Sequence, residues 1–506
     1  MATCSLQLRP FVRDYLPIER ACTARFSPWA PMIEAVSYEW TQYDSVNLDP
    51  DYAGPPTWER ESRWPEQYDH GFVTYPYNKI SLLNKSTNDD WWVHDGDLIA
   101  LPEWAHQVHC IWLIRQWLYR DAFDYSPFTN ISAARFHMHK DHCFLVLKTM
   151  VECKADATPI LFAKDDSNLG AWRTVDPPKL CRRNERLVHL TLVATQTTAY
   201  ESLNINDDDD ETKDTVADAT RGLRQPPSRS RQNMIRIYQQ FAEIGDRPMR
   251  LLGLNIVLLC ISGVLFWSSL NNPNLTTAPV LPNHPTEYST KRVDGTLFPG
   301  PNPSIFRQPP SPEVDLAWDA ITDTRPIPLT RADVLALGKD PSSSVKLPDA
   351  IFGLGDEIYA GRLDVLHQLH CLNALRRESY FEYYYSAQYA SPAEAHNDTL
   401  HAFHLNHCVY MLLQNIVCRA STDVYTHVWT DAVGHPWPDF GIEHRCVDFQ
   451  AILEFQRDGG VDERAFVGLR AGVGDRVHRM SSFFKKVVDP DRFGGLAGEM
   501  GEGEIA

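Results

Sequence analysis

Apolar side chains recur every three to four residues along Glu103–Phe123, where His106, His109, Cys110, Leu113 and Trp117 fall at helical spacing. The same period predicts a second helix over Ala133–Cys153, a third over Val365–Tyr385 and a fourth carrying His404 and His407. Leu251–Leu270 differs, being an apolar run without a charge. At roughly 20 residues it matches the thickness of a bilayer core. Arg247 and Arg250 precede it and Asn271-Asn-Pro-Asn follows. The positive-inside rule therefore predicts a single-pass membrane protein, with the N-terminal flank cytosolic and the C-terminal part lumenal or extracellular.

Between these elements the composition marks boundaries. Four consecutive aspartates lie within Asn204–Asp214, and Arg221, Arg224, Arg229, Arg231 and Arg236 follow, a swing from acidic to basic that reads as a solvated linker. Pro273, Pro279, Pro282, Pro285, Pro299, Pro301 and Pro303 predict an extended stalk beyond the apolar run. The expected organisation is a first domain over 27–190, a linker over 191–250, a transmembrane helix over 251–270, a stalk over 271–308, a second domain over 309–456 and a tail over 457–506. The fold class expected is mainly α with short strands (α+β), as two tandem helix-rich domains separated by the linker and the transmembrane helix.

A length of 506 residues fits two or three folded units, and 43% hydrophobic residues suffice for their cores. A net charge of −18 lacks the basic face of a general nucleic-acid binder, so small molecules, peptides or proteins are the expected partners.

The chemistry lies in one spacing met four times. His106-Gln-Val-His109-Cys110, His139-Lys-Asp-His142-Cys143, His367-Gln-Leu-His370-Cys371 and His404-Leu-Asn-His407-Cys408 each place two imidazoles and a thiol on one helix face. Imidazole suits copper, zinc, iron or nickel, and thiolate shifts the preference towards copper(I) and zinc. Pairs on helices more than thirty residues apart in sequence favour a site made by packing two helices together. His367, His370, His404 and His407 could surround one metal ion or divide between two. The cysteines carry the duplication further: Cys110, Cys143, Cys153 and Cys181 are matched by Cys371, Cys408, Cys418 and Cys446, with the last two intervals identical. Each is a candidate ligand or bridge. In an oxidising lumen Cys371 could pair with Cys408, and Cys418 with Cys446. Asn274 and Asn397 open glycosylation triplets, as do Asn84 and Asn130 in the first half. Tyr380, Tyr383, Tyr384, Tyr385 and Tyr389 read as packing rather than radical chemistry.

These residues resemble the fungal UstYa-like family of mycotoxin-biosynthesis oxidases, marked by paired His-x-x-His-Cys motifs behind a membrane anchor. The second half is similar over Pro309–Phe455, including Pro310-Ser-Pro-Glu-Val-Asp315, Trp318, Leu363–Asn373, Arg376, His404–Cys408, Cys418 and His444-Arg-Cys-Val-Asp-Phe449. The first half is similar over Ser27–Cys181, including Gly54-Pro-Pro-Thr57 and Cys153-Lys-Ala-Asp-Ala-Thr158. It departs at its closing segment, where Lys179 replaces the histidine and Arg183-Asn184 replace Asp-Phe. The resemblance implies copper as cofactor and oxidative tailoring of a peptide or other secondary metabolite by cyclisation, hydroxylation or halogenation. The catalytic set expected is His367, His370, His404 and His407, with a second family member or pathway enzyme as partner. The competing reading is a noncatalytic membrane partner in which metal or disulfides staple helices. A single span between the copies would place them on opposite faces of a membrane, as in a fusion of two adjacent family members.

Overall fold

The computed structural model describes residues 30, 32–33, 36–41, 48–69, 72–129, 132–163, 173–175, 179–182, 288–293, 295–431 and 435–470. Four long helices form the centre: α1 (Glu103–Leu118), α2 (Ala133–Lys154), α3 (Asp364–Ser379) and α4 (Thr399–Arg419). α1 and α2 pack together, α3 and α4 do likewise, and the two pairs pack on each other. This central position explains why α1 is apolar nearly all round instead of along one stripe, with Trp104, Val108, Ile111, Trp112 and Ile114 all buried. Side-chain caps start the second helix of each pair: Ser132 accepts from the Arg135 amide, and Asp398 from those of Leu400 and His401.

The copies are related by a pseudo-twofold exchange. Strand β1 (Asp97–Pro102) leads into α1, and β2 (Pro159–Ala163) follows α2. Their counterparts are β3 (Ile358–Leu363) and β4 (Val424–Val428). Each closing strand pairs with the opening strand of the other copy, with Leu363 opposite Pro159 in one sheet and Pro102 opposite Val424 in the other. The helix starts are completed across the same boundary. The amides of Asp364 and Val365 donate to the Thr158 and Asp156 carbonyls, and the Glu103 amide donates to the Asp423 carbonyl. These N–H groups have no acceptor within their own helices, so each copy satisfies donors that the other leaves open.

Two disulfides lock the exchange, Cys153–Cys446 and Cys181–Cys418. Both join the copies, whereas the pairings Cys371–Cys408 and Cys418–Cys446 considered from sequence do not form, and Cys110, Cys143, Cys371 and Cys408 remain free thiols. Smaller features repeat with the same symmetry. Trp64 and Trp318 are fully buried on short helices, Arg115 pairs with Glu61 at 2.8 Å, and Arg376 pairs with Asp315 at 3.1 Å. Tyr119 donates to Asn406 and Tyr380 donates to Asp141, each across the boundary.

The expected tandem arrangement is therefore corrected. Residues 1–200 and 276–506 make up one unit of mixed helix and strand, not two separate helix-rich domains, because sheets, helix caps and bridges are shared. Membrane placement is also corrected. Among the described residues no helix is long and apolar enough to cross a membrane, and the expected span at Leu251–Leu270 lies outside them. A single-pass chain with the copies on opposite faces is incompatible with two disulfides between those copies. Part of the expected stalk, Tyr288–Arg292, is an extended but exposed strand that pairs with Glu443–Val447 instead of standing free. Asn397 is exposed, and Asn274 lies outside the described residues, as do the acidic and basic linker stretches.

A protease site engineered between residues 200 and 276 tests the exchange. After cleavage the halves should migrate together on a denaturing gel until reduced, and should separate without reductant in a Cys418→Ser, Cys446→Ser variant. Separation of the unreduced wild-type halves would contradict the crossed bridges. Loss of either bridge alone should lower stability by about 2–5 kcal/mol in denaturant titration.

Candidate metal centres

Because the helices of each pair run antiparallel, the first histidine of one motif meets the second of the other. His106 Nε2 lies 3.3 Å from His142 Nε2, and His367 Nε2 lies 3.3 Å from His407 Nε2. The other histidines face each other one turn further along, with ring centroids 5.4 Å apart for His109 and His139 and 5.6 Å apart for His370 and His404. The thiol four residues after the first histidine joins the inner pair. Cys110 Sγ is 3.7 Å from His106 Nε2, and Cys371 Sγ is 3.8 Å from His367 Nε2. Each copy thus gathers two imidazole nitrogens and one sulfur with all three donor atoms within 4.8 Å of one another.

These spacings fit a metal ion. Bonds of about 2.0 Å to nitrogen and about 2.3 Å to sulfur place two nitrogens about 3.3 Å apart and nitrogen and sulfur about 3.5–3.7 Å apart at tetrahedral to trigonal angles. The remaining ring nitrogens give a second test. Nδ1 of His106 and of His367 is buried without a hydrogen bond, and each faces a carboxylate on its own helix, Glu103 Oε1 at 3.6 Å and Asp364 Oδ1 at 3.9 Å. His142 Nδ1 lies 3.3 Å from the Thr296 carbonyl. A carboxylate or carbonyl behind a ring whose far nitrogen points inward is the usual support of a metal-binding histidine.

Electrostatics agree. Burial and the neighbouring imidazole of His139 push His109 down to about 3, and burial with His404 does the same to His370. Burial and His106 push His139 down to about 4, and burial chiefly lowers His142; His404 is lowered by desolvation from the surrounding protein although part of its side chain reaches solvent. These rings are neutral ligands at neutral pH. At His106 and His367 burial also works against charge, but the adjacent sulfurs and carboxylates outweigh it and raise both to about 10. The inner position of each copy therefore attracts positive charge. Cys110 is raised by burial and contact with Cys143, and Cys371 is raised to about 12 by its contact with Cys408 and by burial, in each case against the pull of the neighbouring histidine.

The centres are not equivalent. In the first, Phe440 stacks on His106 with centroids 4.1 Å apart, Tyr425 of β4 lies alongside at 5.5 Å, and the His106 side chain is only 3% exposed. In the second, the His367 side chain is 15% exposed, His370 is half-buried and His404 is exposed. Of the five tyrosines near α3, Tyr380 binds Asp141, Tyr384 binds Asp315 and Arg376, and Tyr385 and Tyr389 lie against His401, whereas Tyr383 is exposed. Sequence reasoning missed Glu103, Asp364, Phe440 and the Thr296 carbonyl. An acid three residues before the first histidine in both copies was a visible signal for the first two, whereas Phe440 and Thr296 are brought in only by the exchanged architecture.

The family model for "Mycotoxin biosynthesis protein UstYa" matches residues 6–189 and again 247–459, once for each copy. The chain belongs to the UstYa family. Among similar proteins, the UstYa family oxidase aprY of Aspergillus flavus is 37% identical over 226 residues, covering 43% of this chain and 66% of that protein. The UstYa family oxidase phomYc of Diaporthe leptostromiformis is 29% identical over 34% of this chain and 71% of its own length. A third relative, named transacylase cctO, from Talaromyces islandicus, is 27% identical over 34% of this chain and 61% of its own length. The chain thus spans slightly less than two thirds of the length of aprY. No solved structure matches the chain. The family expected from sequence is thus shown, and two of these relatives are named oxidases.

The shifted histidines give the metal-free chain a stability maximum near pH 6.5. Below it, the unfolded chain binds protons that His109, His139 and His370 refuse until about pH 3–4, so stability falls with acid. Above it, His106 and His367 hold protons that the unfolded chain releases, so stability falls as pH rises towards 10. Thermal melts of chelator-treated protein from pH 4 to 10 should show this peak. A melting temperature that climbs steadily to pH 9 would rule it out.

Proposed function

We propose that the chain is a copper-dependent oxidase that tailors a peptide or other secondary metabolite, each copy holding copper between its paired helices. The observation that carries this reading is the donor set: two facing Nε2 atoms and one Sγ at metal-binding separations, built twice. His367, His407 and Cys371 would hold the ion in the second copy, and His106, His142 and Cys110 in the first. His370, His404, His109 and His139 stand one turn away as further ligands. Copper in an imidazole and thiolate environment supplies one-electron redox chemistry.

The protein's own contribution is positional. Glu103 and Asp364 orient the inner rings from behind, the Thr296 carbonyl fixes His142, and the aromatic cover of Phe440 and Tyr425 keeps water from the first centre. The second centre is the more open and is where we place substrate oxidation, as cyclisation, hydroxylation or halogenation. Acyl transfer, the activity in the name of one relative, finds little support here. A nucleophilic thiol needs exposure and a lowered pKa, yet Cys110, Cys143, Cys371 and Cys408 are fully buried, and Cys110 and Cys371 are shifted upwards. A purely structural role for the metal is the alternative that experiment must separate.

His407→Ala should abolish product in a reconstituted pathway while the thermal melt stays cooperative, and copper should restore activity to chelated wild-type protein where zinc does not. Unchanged product from a folded His407→Ala variant would refute the catalytic reading, and restoration by zinc would refute the redox one.

A further inference from the structure

We propose that Lys179, on the closing strand of the first copy, is a positioning residue for the second copy's metal centre, acting through Asp364 on His367. The inference rests on the metal reading above and concerns a residue that the sequence sets apart only as a departure at the end of the first copy.

The exchange of closing segments carries Lys179 away from the histidines of its own copy. Its ammonium sits between two buried carboxylates, donating to Asp156 Oδ2 at 3.2 Å and to Asp364 Oδ2. Asp364 is fully buried, and its Oδ2 also accepts from Gln368 Nε2 at 2.8 Å and from Asn415 Nδ2 at 3.3 Å. Three donors on one oxygen fix the carboxylate plane. The other oxygen, Oδ1, has no hydrogen bond and faces His367 Nδ1, which has none either, across 3.9 Å. Lys179 thus anchors the acid whose free oxygen stands behind a ring whose Nε2 points into the donor set.

The first centre lacks this device. The residue in the equivalent place is His444, which is turned to Asp423 at 2.6 Å, and among the described residues no lysine or arginine pairs with Glu103. The two centres therefore have the same donor atoms but different supports, a carboxylate clamped by a cation in one and a carboxylate without a cation in the other. Removing the ammonium would leave Asp156 with its second cation, Arg419 at 2.8 Å, but would take from Asp364 the ammonium that holds its Oδ2. Asp364 would then keep only Gln368 and Asn415 on that oxygen and lose its fixed placement behind the ring N–H. Loss of support behind a metal-bound histidine lowers metal affinity about 10–100-fold.

The test uses full-length protein titrated with cupric ion against a competing chelator, with the electron paramagnetic resonance spectrum recorded at each step. One centre is isolated at a time, in a His106→Ala, His142→Ala background or in a His367→Ala, His407→Ala background. Lys179→Met should weaken copper binding about 10–100-fold and alter the spectrum when only the second centre is present. It should change neither when only the first is present, and Lys179→Arg should restore most of the affinity. Equal loss at both centres, or none at the second, overturns the proposal. If Lys179→Met fails to melt cooperatively, Asp364→Asn, which leaves the lysine paired with Asp156, takes its place with the same expectation. Wild-type protein that takes up no copper overturns the copper reading and this inference together, whereas copper binding that ignores Lys179 overturns the inference alone.

Discussion

The structure depends on backbone donors that each copy cannot satisfy alone. α1 and α3 begin directly at the histidine motifs, and the amides at their first turns reach carbonyls of Thr158, Asp156 and Asp423 in the opposite copy. An unpaired buried amide costs about 1–3 kcal/mol, so the helices that carry the ligands are completed only when the copies close on each other. The sheets continue the same pairing, and the disulfides make it permanent where thiols oxidise. The paired histidine and cysteine donor sets are thereby built on an interface, although the interface lies within one chain.

Much of this was legible. Periodicity located α2 and the starts of α1 and α3 to within one residue, because His106, Cys110, Leu113 and Trp117 repeat at the interval a buried helix requires, but it carried the ends of α1 and α3 past Leu118 and Ser379. The matched cysteine intervals revealed the duplication, and the His-x-x-His-Cys spacing named the eight histidines that face each other in the two centres. The spacing also implied that two helices must meet, which the 3.3 Å contacts between Nε2 atoms bear out in geometry.

What remained hidden was which copy each closing segment serves. Intervals of 10 and 28 residues between cysteines are the same whether a bridge closes within a copy or across the pair, so they gave no pointer to Cys181–Cys418, and the pairings read from them were the within-copy Cys371–Cys408 and Cys418–Cys446. The partner of Lys179 was hidden for the same reason. As a linear feature it belongs to the first copy, but β2 crosses into the other copy's sheet and carries the following chain with it, so its charge acts on Asp364. The apolar run at Leu251–Leu270 suggested separation of the copies by a membrane, a conclusion that local hydropathy supports and long-range pairing overrides.

The crossed closing strands also bear on stoichiometry. Two separate subunits with interchangeable ends would assemble as a mixture of like and unlike pairs, and only the unlike pair would set a lysine behind one centre and a histidine near the other. Joining them in one chain turns assembly into an intramolecular event with a high effective concentration. Every molecule then has one centre of each kind, so the asymmetry is encoded by covalent connection and does not depend on partner recognition.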